Sequence, residues 1–226
     1  MRTSKLCIIV LLSCSSAFAA APPITLSGDA GLCEAAISAV EPTAKVPPKL
    51  LLAIARTESG RTLPSGQMVA WPWTINVAGI GYFFEKVQDA IVAVERFRAA
   101  NVRSIDVGCM QVNLMHHPNA FASLQEAFQP SVNAAYAAKF LAALRTELGS
   151  WPKAIAAYHS RVPELSAAYG QRVMQAWPLA GSYGGTVLSS RRTQLAMIDP
   201  YRVYTPEFAR LLASDAVARA TRNSRR

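Results

Sequence analysis

The stretch Leu50-Leu-Leu-Ala-Ile-Ala-Arg-Thr-Glu-Ser-Gly60 carries the first decision about this chain. It reads as an apolar helix that runs into a carboxylate and a serine and stops at a glycine. Leu50, Leu51 and Ile54 have the spacing of one buried face, and Glu58 falls four residues beyond Ile54 on that same face. A carboxylate placed there is costly unless it is paired or protonated. Two readings follow. In one, Glu58 pairs with Arg56, Arg61 or a distant base and is structural; in the other it is held protonated for chemistry. The helix alone favours the structural reading.

Outward from this helix the pattern is mostly helical. Gly31 to Val40 predicts a first helix stopped by Glu41-Pro42, and Val46-Pro47-Pro48 breaks the chain, with Pro48 placed to start the Glu58 helix. After Gly60 the period changes to alternation: Trp71, Trp73, Ile75 and Val77, a turn at Ala78-Gly79, then Ile80, Tyr82 and Phe84. That is a hairpin signature in which Pro72 implies an edge strand or bulge. Val87, Ala90, Ile91, Val94 and Phe97 then line a helix ending near Asn101, and Ser104 to Asn113 reads as irregular. An alanine-rich helix from about Pro130 to Leu148 is capped by Gly149, a short one follows Trp151-Pro152 through Tyr158, and a third runs from Pro163 to Trp177-Pro178. The expected fold is mainly α, a helical domain over 31–180 with a small β-hairpin insertion.

The ends differ in character. Arg2 and Lys5, the apolar run Leu6 to Leu12 and Ala17-Phe18-Ala19 make residues 1–19 a signal peptide, so export is expected. Leu11-Leu12-Ser13-Cys14 loosely resembles a lipobox that would anchor the chain through Cys14, but the leucine before the serine is a poor match and a soluble periplasmic product is favoured. Residues 20–30 read as a flexible lead-in. Residues 181–226 read as a basic extension with eight arginines and one helix start at Thr205-Pro206-Glu207. This tail either touches an anionic surface or is a solubilising extension.

The net charge of +9 becomes 9 − 2 = +7 without the leader, a balance that suits an anionic partner. No zinc-finger spacing or basic motif interleaved with aromatics speaks for nucleic acid. Cys33 and Cys109 are the two cysteines outside the leader, and in an oxidising compartment they form either a disulfide or two buried thiols. The disulfide is favoured, and closing so long a loop contributes roughly 4 kcal/mol in the chain-entropy view. No metal site and no cofactor is expected: there is no CxxC, and His116-His117 lacks the i, i+4 spacing of a zinc pair. Ser150-Trp-Pro-Lys153 matches Ser-x-x-Lys without its companion motifs, and no Gly-x-Ser-x-Gly elbow occurs.

What remains is an ordered set: Glu58-Ser59-Gly60, then Gly108-Cys-Met-Gln-Val-Asn113, then Ala157-Tyr158-His159. This combination resembles the lytic transglycosylases with a lysozyme-like SLT domain, whose hallmarks are Glu-Ser at a helix end, Gly-x-Met-Gln with a following Asn, and Ala-Tyr-Asn. The resemblance covers roughly Gly31 to Trp177 and implies an α+β lysozyme-like fold.

It also implies cleavage of the bond between N-acetylmuramic acid and N-acetylglucosamine in peptidoglycan glycan strands, giving 1,6-anhydromuramoyl ends. Glu58 would be the single catalytic acid and then base. Gln111, Tyr158, Met110, Asn113, Ser59 and His159 would be the substrate-side residues, with Met110, Asn113 and Tyr158 equally readable as core, cap and packing residues. His159 stands where the family usually has Asn. The gap between the first two motifs is longer than usual and holds the aromatic hairpin, whose Trp71, Trp73 and Tyr82 are either sugar-stacking rings or packing. Ser104 is out of register with the family's usual serine. Asp106 is a possible second acid, which would make the chain a hydrolytic muramidase; a non-catalytic wall-binding assembly factor is the reading from another class. The chain is expected to act as a monomer, in general wall turnover or beside a secretion, pilus or flagellar machine.

Overall fold

The helix that bears Glu58 is started by a carboxylate from the helix before it. In the computed structural model, which describes residues 28–178 and 180, a 3-10 turn (Gly28–Gly31) leads into α1 (Leu32–Ala44) and then α2 (Leu50–Ser59). The expected stop at Glu41-Pro42 does not occur. Helix α1 runs through Pro42 and ends at Lys45, whose φ is 55°. Pro42 lies in the last turn, so the one i→i−4 hydrogen bond that its missing N–H removes falls at the end of the helix and does not stop it. The extra turn carries Glu41 inward, where its carboxylate accepts from the backbone N–H groups of Lys49 (2.9 Å) and Leu51 (2.8 Å). These are orphan donors at the start of α2. Lys49, not Pro48, is the residue before the first helical position.

Helix α2 is enclosed on every side rather than along one face: Leu50, Leu51, Leu52, Ala53, Ile54 and Ala55 are all at most 1% exposed. At its end a Cβ on Gly60 would collide with the Arg56 carbonyl, so glycine is required there. Strand β1 (Gly60–Thr62) leaves directly and pairs with β2 (Met68–Ala70).

The expected hairpin is β3 (Thr74–Val77) and β4 (Ile80–Phe83), closed by Ala78 and Gly79 at φ 53° and 82°. Positive φ at both central residues is the turn that matches strand twist. Pro72 lies before the strand, not within it. The free edge of β3 takes β5 (Ile105–Val107), which takes β6 (Val112–Asn113), giving the antiparallel order β4-β3-β5-β6. Ser104 to Asn113 is therefore not irregular. Its two strands are too short to show alternation; β5 becomes a strand by pairing with β3, and β6 by pairing with β5.

Cross-strand partners share a sheet face. One row, Tyr82, Ile75, Val107 and Val112, is buried in the core. The opposite row is Gly81, Asn76, Asp106 and Asn113.

Helix α3 (Val87–Ala99) follows the sheet's hairpin, and α4 (Leu124–Phe128), a short turn absent from the sequence reading, precedes α5 (Pro130–Leu148). Gly149, at φ 76°, ends α5, and α6 (Trp151–His159) and α7 (Pro163–Ala176) follow. Helices α1, α2, α5, α6 and α7 pack around one apolar core, while the sheet packs on α3 and α4 around a second. A disulfide joins Cys33 of α1 to Cys109 between β5 and β6, with the Cα atoms 5.6 Å apart. The mainly α architecture is as expected, with more sheet than the single hairpin. The signal segment 1–19, the Cys14 anchor, most of the lead-in and the basic extension 181–226 lie outside the described residues.

Candidate active site

Glu58 occupies the last turn of α2, at the negative end of the helix dipole, where a charged carboxylate is least welcome. The bases that the structural reading would pair with it are engaged elsewhere. Arg56 reaches Glu34 at 3.5 Å and the Ala180 carbonyl at 3.4 Å, and Arg61 pairs with Glu85 while lying 4.3 Å over the Trp71 ring. Among the described residues no base forms an ion pair with Glu58. The side chain keeps partial contact with solvent, yet protein encloses the carboxyl closely enough that burial dominates its chemistry. Burial pushes its pKa up to about 8; the Tyr169 hydroxyl draws it down, the charge of Asp106 pushes it up, and Arg172 draws it down. At neutral pH this group is an acid with a proton to give.

The second motif is a turn fastened from several sides. Gly108 sits at φ 80°, and a Cβ there would meet the Asn133 amide at 2.6 Å. Asn133, on α5 and fully buried, donates to the carbonyls of Val107 (3.1 Å) and Ala127 (2.9 Å) and accepts from Met110 N–H (2.9 Å). Tyr158 donates its hydroxyl to the Met110 carbonyl at 2.8 Å, and the Ser59 hydroxyl lies 2.7 Å from the Cys109 carbonyl and 3.1 Å from that of Ala55. Gln111, in the left-handed region at φ 47°, donates to the carbonyls of Thr74 (3.1 Å) and Gly108 (2.9 Å). With both amide hydrogens committed, its buried Oε1 is left without a partner, an acceptor held ready.

Several residues anticipated on the substrate side serve the frame instead. Met110 is 0% exposed and belongs to the core, and Ser59 is equally buried with its hydroxyl turned to backbone. Asn113 donates to Asp106 Oδ1 (2.7 Å) and Ser104 Oγ (3.0 Å), while its Oδ1 accepts from Met115 and His116 N–H. It therefore caps the turn that follows. Trp71 is buried with Nε1 donating to Phe84 O, Tyr82 packs on Phe97, and Trp73 donates to Asp29 at 3.0 Å. The hairpin aromatics are packing.

Around Glu58 itself the structure gathers Tyr158, Asp106, Tyr169 and Arg172 as electrostatic neighbours. Burial holds the Tyr158 and Tyr169 phenols far above their ordinary pKa, and the Glu58 charge adds to it, so both stay neutral donors. Tyr169, on α7, has a buried hydroxyl without a hydrogen bond of ordinary geometry, yet it acts on Glu58 as a donor. His159 stacks flat on the Tyr169 ring at 4.6 Å and 9°, and burial lowers its pKa. Asp106 is raised by burial, opposed by its bond from Asn113 and by His116. Tyr169, Arg172 and Asn133 were not found from sequence. Asn133 alone had a local signal, an amide on the buried stripe it shares with Ala137, Leu141 and Leu144.

A helical core with a small antiparallel sheet is the architecture of a mainly α, lysozyme-like fold. Residues 86–172 match the family described as the transglycosylase SLT domain, a match that supports a peptidoglycan-active function of the lytic transglycosylase type. The match begins after Glu58 and takes in Gln111, Tyr158 and Tyr169. No curated protein and no solved structure matches the chain.

Proposed function

We propose that this chain cleaves the glycosidic bond between N-acetylmuramic acid and N-acetylglucosamine and closes a 1,6-anhydro ring on the muramoyl product. The observation that carries this reading is Glu58: a carboxyl enclosed at a helix end, with Arg56 and Arg61 committed elsewhere and its pKa raised to about 8. Protonated, it gives its proton to the glycosidic oxygen as the C1–O bond breaks. The substrate's own N-acetyl oxygen supports the cation, so a second carboxylate is not needed. Glu58, now charged, takes the proton of the C6 hydroxyl as that oxygen bonds to C1, and the acid is restored. The neutral hydroxyl of Tyr169 steadies the carboxylate during its charged interval, Tyr158 holds the Met110 turn beside it, and the unpaired Oε1 of Gln111 is the acceptor for a sugar N–H or O–H.

Asp106 favours one alternative, because its charge reaches Glu58. As a second carboxylate it would direct water to C1 and give a hydrolytic muramidase. Burial raises its pKa, which makes it a poorer anion for that task, and the Asn113 amide already occupies one of its oxygens. Mass spectrometry of digests of purified peptidoglycan separates the outcomes: anhydromuramoyl ends are expected, reducing ends indicate the hydrolase, and no release indicates a wall-binding assembly factor. The leader at residues 1–19 supports action in the periplasm, on general wall or beside an assembly machine.

A further inference from the structure

Two consecutive residues at the end of α6 serve different neighbours of Glu58. Tyr158 donates to the Met110 carbonyl and so fastens the turn that carries Gln111. His159, the last residue of the helix, goes to α7 instead and lays its imidazole flat on the Tyr169 ring, with centroids 4.6 Å apart and planes 9° from parallel. An exposed imidazole thus covers a buried phenol. The Arg172 guanidinium lies 5.8 Å from the centre of the same phenol ring. Burial raises the Glu58 pKa, and of the two groups that oppose it the Tyr169 hydroxyl acts more strongly than Arg172. Yet that hydroxyl makes no hydrogen bond of ordinary geometry. With no such bond to fix its polar end, its placement depends on what packs against the ring.

We propose that His159 is a positioning residue and not a substrate ligand: its imidazole, stacked on the Tyr169 ring, holds the Tyr169 hydroxyl toward Glu58. A flat stack restrains the ring it covers, and a hydroxyl that swings away is a lost donor to the carboxylate. Asparagine, which usually stands at this place in the family the chain resembles, offers a smaller planar amide that leaves much of the phenol uncovered. The imidazole also suits the place electrically. Burial and the charge of Arg172 both lower the His159 pKa, so at neutral pH it brings no charge toward the acid. The charged and titratable groups that face Glu58 are then Tyr169 and Arg172 of α7, Tyr158 of α6 and Asp106 of β5, and His159 acts through the first of these.

The inference rests on the proposed role of Glu58 as the acid, and its test includes a readout that needs no turnover. In the full-length protein the Glu58 carboxyl is titrated by carbon NMR with isotope-labelled glutamate, its signal identified by its loss in Glu58→Gln. His159→Asn is expected to move this titration to higher pH, because the donor that favours the anion is no longer held. On peptidoglycan glycan strands the same variant should lower kcat about two- to threefold, the scale of one weakened donor, and leave KM unchanged. His159→Phe keeps a flat ring over Tyr169 without adding charge and should restore both the titration and kcat. In a Tyr169→Phe background His159→Asn should change neither, because the hydroxyl through which it acts is gone. A raised KM with an unmoved titration makes His159 a substrate ligand and overturns the inference. A lower thermal midpoint with an unmoved titration reduces the stack to stability and overturns it equally. So does a shift that persists in the Tyr169→Phe background, since His159 would then reach Glu58 by another route. If the titration responds as expected while digests hold no anhydro ends, the proposed reaction fails and the positioning role stands. Anhydro product from a protein whose Glu58 titration ignores His159 gives the reverse.

Discussion

Helix α2 has a glutamate at each end, and the two do opposite work. Glu41 comes from α1 to the N-terminal end of α2 and spends its oxygens on two backbone N–H groups. There the helix dipole favours an acid, and the fold gains a start for its central helix. Glu58 sits at the C-terminal end, where the dipole opposes negative charge and no ion pair forms among the described residues. Protein closes around both carboxyls, although Glu58 keeps partial contact with solvent, so enclosure alone does not distinguish a structural acid from a reactive one. What distinguishes them is whether the surroundings donate to the carboxylate or keep it protonated.

The comparison breaks first at Glu58. Glu58→Gln should lower turnover of purified peptidoglycan by about a thousandfold, the usual scale of a lost general acid. Its stability should move the other way. Glu58 titrates at about 8 in the fold against 4.5 as its ordinary value. A folded-state pKa raised in this way contributes stability that is full below the lower value and is lost as pH rises through the higher one. Glutamine stays neutral throughout, so the thermal midpoint of the variant should gain on that of the parent as pH rises from about 5 to about 9. A gap that stays constant or narrows would show that Glu58 is ionised in the fold at neutral pH.

At the other end the expectation is inverted. Glu41→Ala leaves the N–H groups of Lys49 and Leu51 without their acceptor inside the protein and should cost about 3 kcal/mol in urea unfolding. Turnover by the folded fraction should persist. Loss of activity without loss of stability at this position would erase the contrast between the two ends.

A smaller effect tests how the reactive end is fastened. Ser59→Ala removes the buried hydroxyl 2.7 Å from the Cys109 carbonyl and should cost about 1.5 kcal/mol by thermal or urea unfolding. Because Ser59 is fully enclosed, KM for glycan strands should not change. A marked rise in KM would return Ser59 to the substrate side.

How far this contrast was legible follows from the range of the signals involved. The helices after Pro130 and the Ala78-Gly79 turn are written in local terms, a capping glycine, a proline at a first turn, a glycine that accepts positive φ. Glu58 was visible as an acid at the end of an apolar run. The role of Glu41 was hidden, because a proline after an acid reads as a stop and the groups it serves lie 8 and 10 residues away. Strands β5 and β6 were hidden for a similar reason: three and two residues carry no period, and β3, which β5 joins, is some thirty positions upstream. Tyr169 had no signal at all, since nothing along α7 says that one tyrosine points at a carboxyl on α2.

That tyrosine supplies the finest test of the reactive end. Its hydroxyl draws the Glu58 pKa downward against the larger effect of burial, and it does so without an ordinary hydrogen bond of its own. Tyr169→Phe keeps the ring on which His159 stacks at 4.6 Å and removes only the hydroxyl. The proton should then be held more tightly by Glu58, so the alkaline fall in kcat/KM should move to higher pH. Near pH 7, where the acid is already protonated, the rate should drop by no more than about threefold, the value of one weak donor to the charged intermediate state. A pH–rate profile of the variant beside the parent reads both quantities. A limb that moves to lower pH would mean that Tyr169 supports the protonated acid rather than its anion, and the account of what keeps Glu58 apart from Glu41 would have to be rebuilt around that bond.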